Sequence, residues 1–351
     1  MRERAPLVCG ALGVATAAAA VLRPLAAAGW APSILARIGA ATPFGAAARA
    51  AVAGLHLVSR GYDGQFYWGI AVDPLARGGL PRVFDKASYR YGHPLYGWAA
   101  WAVSGDDPHR AAAALLAVGV ASLGVAAYAT ARLAQTTGHS PWFGLAVAFN
   151  PGLLASVRLD LAEPFAAALL ACALLAHARR QRRLLWVLLA LLPLAKEPLA
   201  LVVVAVAGWE LLQRRPRGAA LAAAALLPAA AWWAYLRLHL GAFFTSGATA
   251  LAPPLVGWGR TFADGHRLDP LELALLTGVL VLLAVAVVGA VRRRDPVAFA
   301  YLALGVFVVL LADNATAAFT TALRNVALAL MLAPFALAGL RPDPGDRRYA
   351  G

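Results

Sequence analysis

The sequence predicts an all-α, polytopic integral membrane protein with about ten transmembrane or partly spanning helices and a long first external loop carrying interfacial helices. Three observations lead there. Of 351 residues, 61% are hydrophobic and only 14% charged, and the mean hydropathy of +0.68 leaves too little polar surface for a soluble chain. Apolar runs recur at lengths near the roughly 20 residues that a helix needs to cross the hydrocarbon core. Basic clusters punctuate those runs at MRER, Arg179 to Arg183, Arg214 to Arg217, Arg292 to Arg294 and Arg341 to Arg348. Cytoplasmic loops collect Lys and Arg, so all of these clusters are expected inside. The formal charge of +14 and pI near 10.8 then read mainly as orientation information, and no nucleic-acid partner is expected, because the uncharged stretches leave no broad solvated basic face.

Two cytoplasmic clusters must be separated by an even number of passes, and this assigns the segments in order. Residues 7–28 form the first pass. A basic start, an apolar stretch and small residues near Ala26 to Ala28 also fit a cleaved signal peptide, but the polytopic continuation favours a retained helix. Residues 29–110 form the first extracytoplasmic segment. Its apolar piece 94–104 is too short to cross and is expected as a helix at the interface. A second pass returns the chain before Trp142. The stretch from Trp142 to Ala178 reads as two apolar arms whose tip holds Arg158, Asp160, Glu163 and Pro164. Between Arg183 and Arg214, Pro193 and Lys196-Glu197-Pro198 break the run into a hairpin of two short helices. Each arm reaches about 22 Å at 1.5 Å per residue, so the tip stops short of the outer surface and recesses Lys196 and Glu197. Runs 218–239 and 271–291 flank a second extracytoplasmic loop, 240–270, and runs 296–312 and 321–340 flank Asp313-Asn314. Both termini fall inside, and 1–351 is one membrane-embedded domain. Cys9 and Cys172 lie in apolar runs, with neither a disulfide framework nor metal-ligand spacing. No internal repeat is visible.

Ionisable groups in or beside a membrane are costly and therefore functional candidates. In the first external segment, Tyr62-Asp63-Gly64-Gln65-Phe66-Tyr67 sets a carboxylate beside glycines, with aromatics suited to a sugar face. An Asp within hydrogen-bond reach can take a proton from an acceptor hydroxyl, and Arg or Lys can offset charge on a departing phosphate. Arg90, Arg158, Asp160, Glu163, Lys196, Glu197 and Arg324 fall on the same expected face. Structural alternatives stand beside each. Asp63 can cap the helix starting at Gly64, Asp160 and Glu163 can serve the helix beginning at Pro164 with Arg158 neutralising them, and Glu197 can be a first-turn acid before Pro198. The histidines read as scattered, and the tryptophans outside the motifs as interfacial anchors. There is no GxxxxGK[ST] and no Rossmann fingerprint, and an outward site has no access to cytoplasmic nucleotides, so a glycosyl donor would be activated in the membrane.

GYDGQFYWGIAVDP, SYRYGHPLYGW, RLDLAEPFAAALLACALL and LAKEPLAL, in this order, resemble bacterial cell-surface glycopolymer formation proteins, a group similar to the GT-C glycosyltransferase superfamily. The resemblance covers about Arg60 to Trp209, with a weaker stretch at GAFFTSGATALAPPLVGW. It implies a GT-C-like fold, transfer from a polyprenyl-phosphate sugar donor to a glycan or lipid-linked acceptor, inversion at the anomeric carbon, and a catalytic acid in the first external loop, matched here by Asp63. Tyr62, Gln65 and Tyr67 belong to the same motif. The group's pattern has basic residues where this chain has Trp68-Gly69 and Gly92-His93; Arg90, Lys196 and Arg324 are the candidates to replace them at the phosphate. Asp160 and Glu163 would orient acceptor hydroxyls or hold a divalent cation. A transporter or flippase of a lipid-linked glycan, or a noncatalytic partner in glycopolymer assembly, would use the same polar residues for other ends.

Overall fold

A computed structural model describes residues 3–245, 251–264 and 268–340. The basic tail from Arg341 to Arg348 and parts of the loop 240–270 lie outside the described residues. The elements are helical, and the described residues contain no strand ladder, only two isolated bridges, Gly39 with Val58 and Leu251 with Leu311. The chain divides into two units, Met1–Ala200 with Ala224–Thr249, and Leu201–Ala223 with Ala250–Gly351.

In the first unit, α1 (Ala5–Ala27) precedes a group of short helices: α2 (Ser33–Ala36), α3 (Pro43–Ala51), α4 (Gly64–Val72), α5 (Ala87–Arg90) and α6 (Leu95–Ser104). Then come α7 (Ala111–Thr136), α8 (Leu145–Ala148), α9 (Pro151–Val157), α10 (Glu163–Ala178) and α11 (Arg182–Ala195). Helix α12 (Ala200–Leu212) leads into α13 (Pro216–Ala224), and α14 (Leu227–Leu240) belongs again to the first unit. The second unit continues with α15 (Val256–Ala263), α16 (Pro270–Arg293), α17 (Pro296–Val309), α18 (Asp313–Thr316) and α19 (Phe319–Ala338).

Among the described residues, five helical stretches are long and apolar enough to cross a membrane: Ala5–Ala27, Ala111–Thr136, Pro216–Leu240, Pro270–Arg293 and Phe319–Ala338. Exposed Leu7, Val14 and Leu22 on α1, and Leu271, Leu275, Val281 and Val285 on α16, have no place on a water-facing helix and suit a lipid-facing one. The other expected passes are shorter helices, α10 of 16 residues, α11 of 14, α12 of 13 and α17 of 14.

Two local expectations are corrected. The run from Trp142 to Val157 is not one arm. It breaks at Asn150, whose side-chain oxygen accepts from the N–H groups of Gly152 and Leu153 and so starts α9 afresh, with Pro151 at its first position. Pro193, in turn, lies inside α11, which continues to Ala195 with the loss of one backbone donor; the break comes at Lys196, whose backbone is extended (φ −159°, ψ 121°) before Glu197-Pro198.

Helices α1 and α7 meet through small residues. A Cβ on Gly13 would stand 2.8 Å from Leu123 O, and one on Gly124 3.1 Å from Gly10 O, so backbone packs on backbone. Helix α10 covers another side of α7. The segment between α1 and α7 is a packed group of helices rather than a loop. Its core gathers Phe44, Phe66, Trp68, Phe84 and Tyr91, with Phe84 5.2 Å from Phe44, 5.1 Å from Phe66 and 5.2 Å from Tyr91, ring centroid to ring centroid. In the second unit α16 and α17 both pack on α19, and Tyr301 Oη donates to Leu283 O.

Candidate functional site

The site grows from the start of α4. Asp63 occupies the residue before this helix, yet its carboxylate makes no capping hydrogen bond. It instead receives Arg90 Nη1 at 3.0 Å. Arg90 turns its remaining fork on Asp85, Nε and Nη2 donating at 3.0 and 3.1 Å, and its guanidinium lies 4.0 Å over the Phe66 ring. Burial works to lower the pKa of Arg90, but the Asp85 hydrogen bond and the charges of Asp63 and Asp85 outweigh it and hold the pKa above its ordinary value. The Asp63 side chain keeps 31% exposure, so it remains open to a ligand.

Gly64 explains why the YDG and RLDLAEP motifs travel together. A Cβ there would meet Leu159 O at 2.2 Å, a backbone atom that cannot swing away, so only glycine lets the 158–161 turn lie against the start of α4. In that turn Asp160 has left-handed backbone (φ 47°) and closes α9, where Leu161 N–H donates to Ser156 O. Asp160 therefore serves the end of α9 and not the start of α10, whose N-cap position is Ala162. Its side chain is 1% exposed, and its Oδ2 has no hydrogen-bond partner among the described residues. Arg158 does not neutralise it: Arg158 is exposed and forms no ion pair among the described residues.

Glu163, in the first turn of α10, accepts Lys196 Nζ at 2.6 Å, the two side chains being 4% and 16% exposed. Glu197 Oε2 lies 2.9 Å from His93 Nδ1, at an angle that does not make an aligned hydrogen bond. His93 links these pairs to the Asp63 end through rings. It meets Tyr67 at 5.8 Å and Tyr89 at 5.6 Å, Tyr89 faces Arg90, and Tyr67 meets Tyr96 at 5.3 Å. Tyr96, whose Oη donates to Leu115 O, lies within electrostatic reach of Asp160 and Glu163. The four resembling motifs thus form one connected cluster within the first unit.

Other candidates stand differently. Gln65 is buried, and its Oε1 accepts Gly39 N–H at 3.3 Å, which braces the chain leading to Asp63. Phe66, Tyr67 and Trp68 are buried because α4 is covered all round, so their rings serve the core and not a sugar face; Tyr62 and Tyr89 are the half-buried aromatics left near Asp63 and Arg90. Arg324 lies in the first turns of α19, in the second unit, and takes no part in the pairs just described. No group of three or more His, Cys, Asp or Glu side chains among the described residues converges as a metal site.

Sequence reasoning passed over His93, Asp85, Tyr96 and two tryptophans. Trp232 and Trp233 of α14 are not free anchors: their Nε1 groups donate to Tyr91 O at 2.6 Å and Gly92 O at 2.8 Å, fixing the turn that carries Arg90 and His93. The available signal for His93 was its place inside SYRYGHPLYGW, just after the YRY that carries Arg90. Compared with protein-family profiles, curated proteins and solved structures, the chain matches none.

Proposed function

We propose that the chain is a GT-C-like membrane glycosyltransferase, moving a hexose or pentose from a polyprenyl-phosphate donor to an extracytoplasmic glycan or lipid-linked acceptor. The observation that carries this reading is Asp63, a part-exposed carboxylate that leaves its helix uncapped and stands against a guanidinium. In the proposed reaction the acceptor hydroxyl gives its proton to Asp63, and its oxygen forms the new bond to the anomeric carbon. The bond from that carbon to the phosphate oxygen breaks, and its electron pair leaves with polyprenyl phosphate. Arg90 would turn from Asp63 to the departing phosphate, which offsets the new charge and makes Asp63 more basic as it takes the proton. A single in-line displacement inverts the anomeric carbon. Lys196 and His93, held by Glu163 and Glu197, would orient the acceptor.

The same reading sets the chain in a bacterial plasma membrane with ten full or partial passes, both termini cytoplasmic and Asp63 facing outward. The test is Asp63→Asn in membranes supplied with labelled polyprenyl-phosphate sugars. Transfer should fall by about a hundredfold or more while the protein remains folded and inserted; wild-type rates would remove Asp63 from the reaction. Movement of labelled lipid across the bilayer without transfer would replace the transferase reading by transport.

A further inference from the structure

Beyond the Asp63 cluster, a cleft of about 580 Å³ opens in the first unit between the 76–88 segment and the end of α14. Arg77, Arg82, Lys86 and His239 line it, and no Asp or Glu does. Arg77, Arg82 and Lys86 are exposed, and none forms an ion pair among the described residues. The nearby carboxylates are already occupied. Asp85 holds Arg90, and Asp73 accepts the backbone N–H groups of Arg77 and Gly78 at 2.9 and 2.8 Å.

The wall that carries these cations is fixed rather than loose. Tyr91 Oη donates to Asp73 O, Tyr235 Oη to Leu75 O, and His239 Nε2 lies 2.8 Å from Ala76 O, which only accepts, so that nitrogen carries the proton. Two residues lining the cleft, Ala76 (φ 56°) and Lys86 (φ 53°), hold left-handed backbone without being glycine, a strained conformation that persists where surrounding contacts enforce it. Three cations are thus set around one concavity by a braced backbone.

We propose that this cleft binds a phosphate group carried by a substrate or lipid. It is not the place of the phosphate that would leave at Asp63. Neither Asp63 nor Arg90 lines the cleft, whereas a leaving phosphate is bonded to the reacting carbon itself and would have to meet both. The phosphate bound here belongs to a second group, either a phosphodiester of a glycan or lipid-linked acceptor or the headgroup of an anionic membrane lipid. The assignment stands independently of the transfer reaction.

The test uses the full chain in phosphatidylcholine nanodiscs, titrated calorimetrically with pyrophosphate as the soluble probe. The wild type should bind, more weakly as salt is added, and R77Q/R82Q/K86Q should bind roughly tenfold or more weakly. R110Q, an exposed arginine in the same segment but outside the cleft, should bind as wild type does. Should the triple variant fail to fold, R82Q alone, on an exposed side chain, should weaken binding by about threefold. Repeating the titration with phosphatidylglycerol in the disc separates the sources: competition identifies a lipid headgroup, and undiminished binding a substrate phosphate. Absence of binding by the folded wild type, or equal binding by wild type and the cleft variants, would overturn the proposal.

Discussion

Replacing Lys196 by Met removes the partner of Glu163 where that carboxylate is 4% exposed. The pair is 2.6 Å apart and too buried for solvent to stand in for either member. Breaking a buried pair from one side costs about 3–5 kcal/mol, because a charge is left without compensation, whereas removing both charges is far milder. Lys196→Met should therefore shift the unfolding equilibrium by a factor of roughly a hundred to a few thousand, taking 1.4 kcal/mol as tenfold. Adding Glu163→Gln should return much of that loss, with a coupling of about 2–3 kcal/mol. Denaturant titration of the purified single and double variants in detergent measures all the terms of the cycle. Additive losses would show that the two side chains do not share a buried contact, and would take with them the argument that RLDLAEP and LAKEPL meet.

Gly64→Ala should lower stability by about 1–3 kcal/mol, read as a fall in Tm, since the added Cβ meets backbone at 2.2 Å; an unchanged Tm would mean that the 158–161 turn does not lie against α4. Arg90→Lys keeps the charge but loses the fork that joins Asp63 to Asp85, and transfer should drop about tenfold or more with folding retained; full activity would argue against a role for that geometry. For topology, Gly257 is a poor labelling site because a Cβ there would stand 2.1 Å from Leu311 O, whereas Gly259 has open space. In a background without Cys9 and Cys172, Gln213→Cys and Gly259→Cys should label from opposite faces of the membrane, and labelling from one face would refute the pass assignment.

Much of the architecture was legible because membranes impose a simple grammar of run length and basic punctuation. The five long apolar stretches among the described residues fall where that grammar puts spans, and the polar break at Lys196 falls where a short hairpin tip was expected. Asp63, Arg90, Glu163, Lys196 and Glu197 were legible as costly groups, and the structure brings them into one cluster. What stayed hidden depended on long-range contacts. The aromatics after Asp63 look like a sugar platform in one dimension, but Phe44 and Phe84, far along the chain, enclose them. Pro193 looked like a helix end because its missing donor is visible in sequence and the surrounding burial is not. Asp160 was read as serving the helix after it, whereas its left-handed backbone closes the helix before it.

Trp232 and Trp233 reach back 141 residues to hold Tyr91 and Gly92. During synthesis the chain emerges from its N-terminus, so the turn bearing Arg90 and His93 must wait unbraced until α14 has been made, about two thirds of the way along the 351 residues. Nascent chains halted after Ala200 should leave that turn open to protease, and ones halted beyond Thr249 should protect it. The site is thus finished late, and a chain cut short before α14 would carry the turn of Arg90 and His93 without its brace.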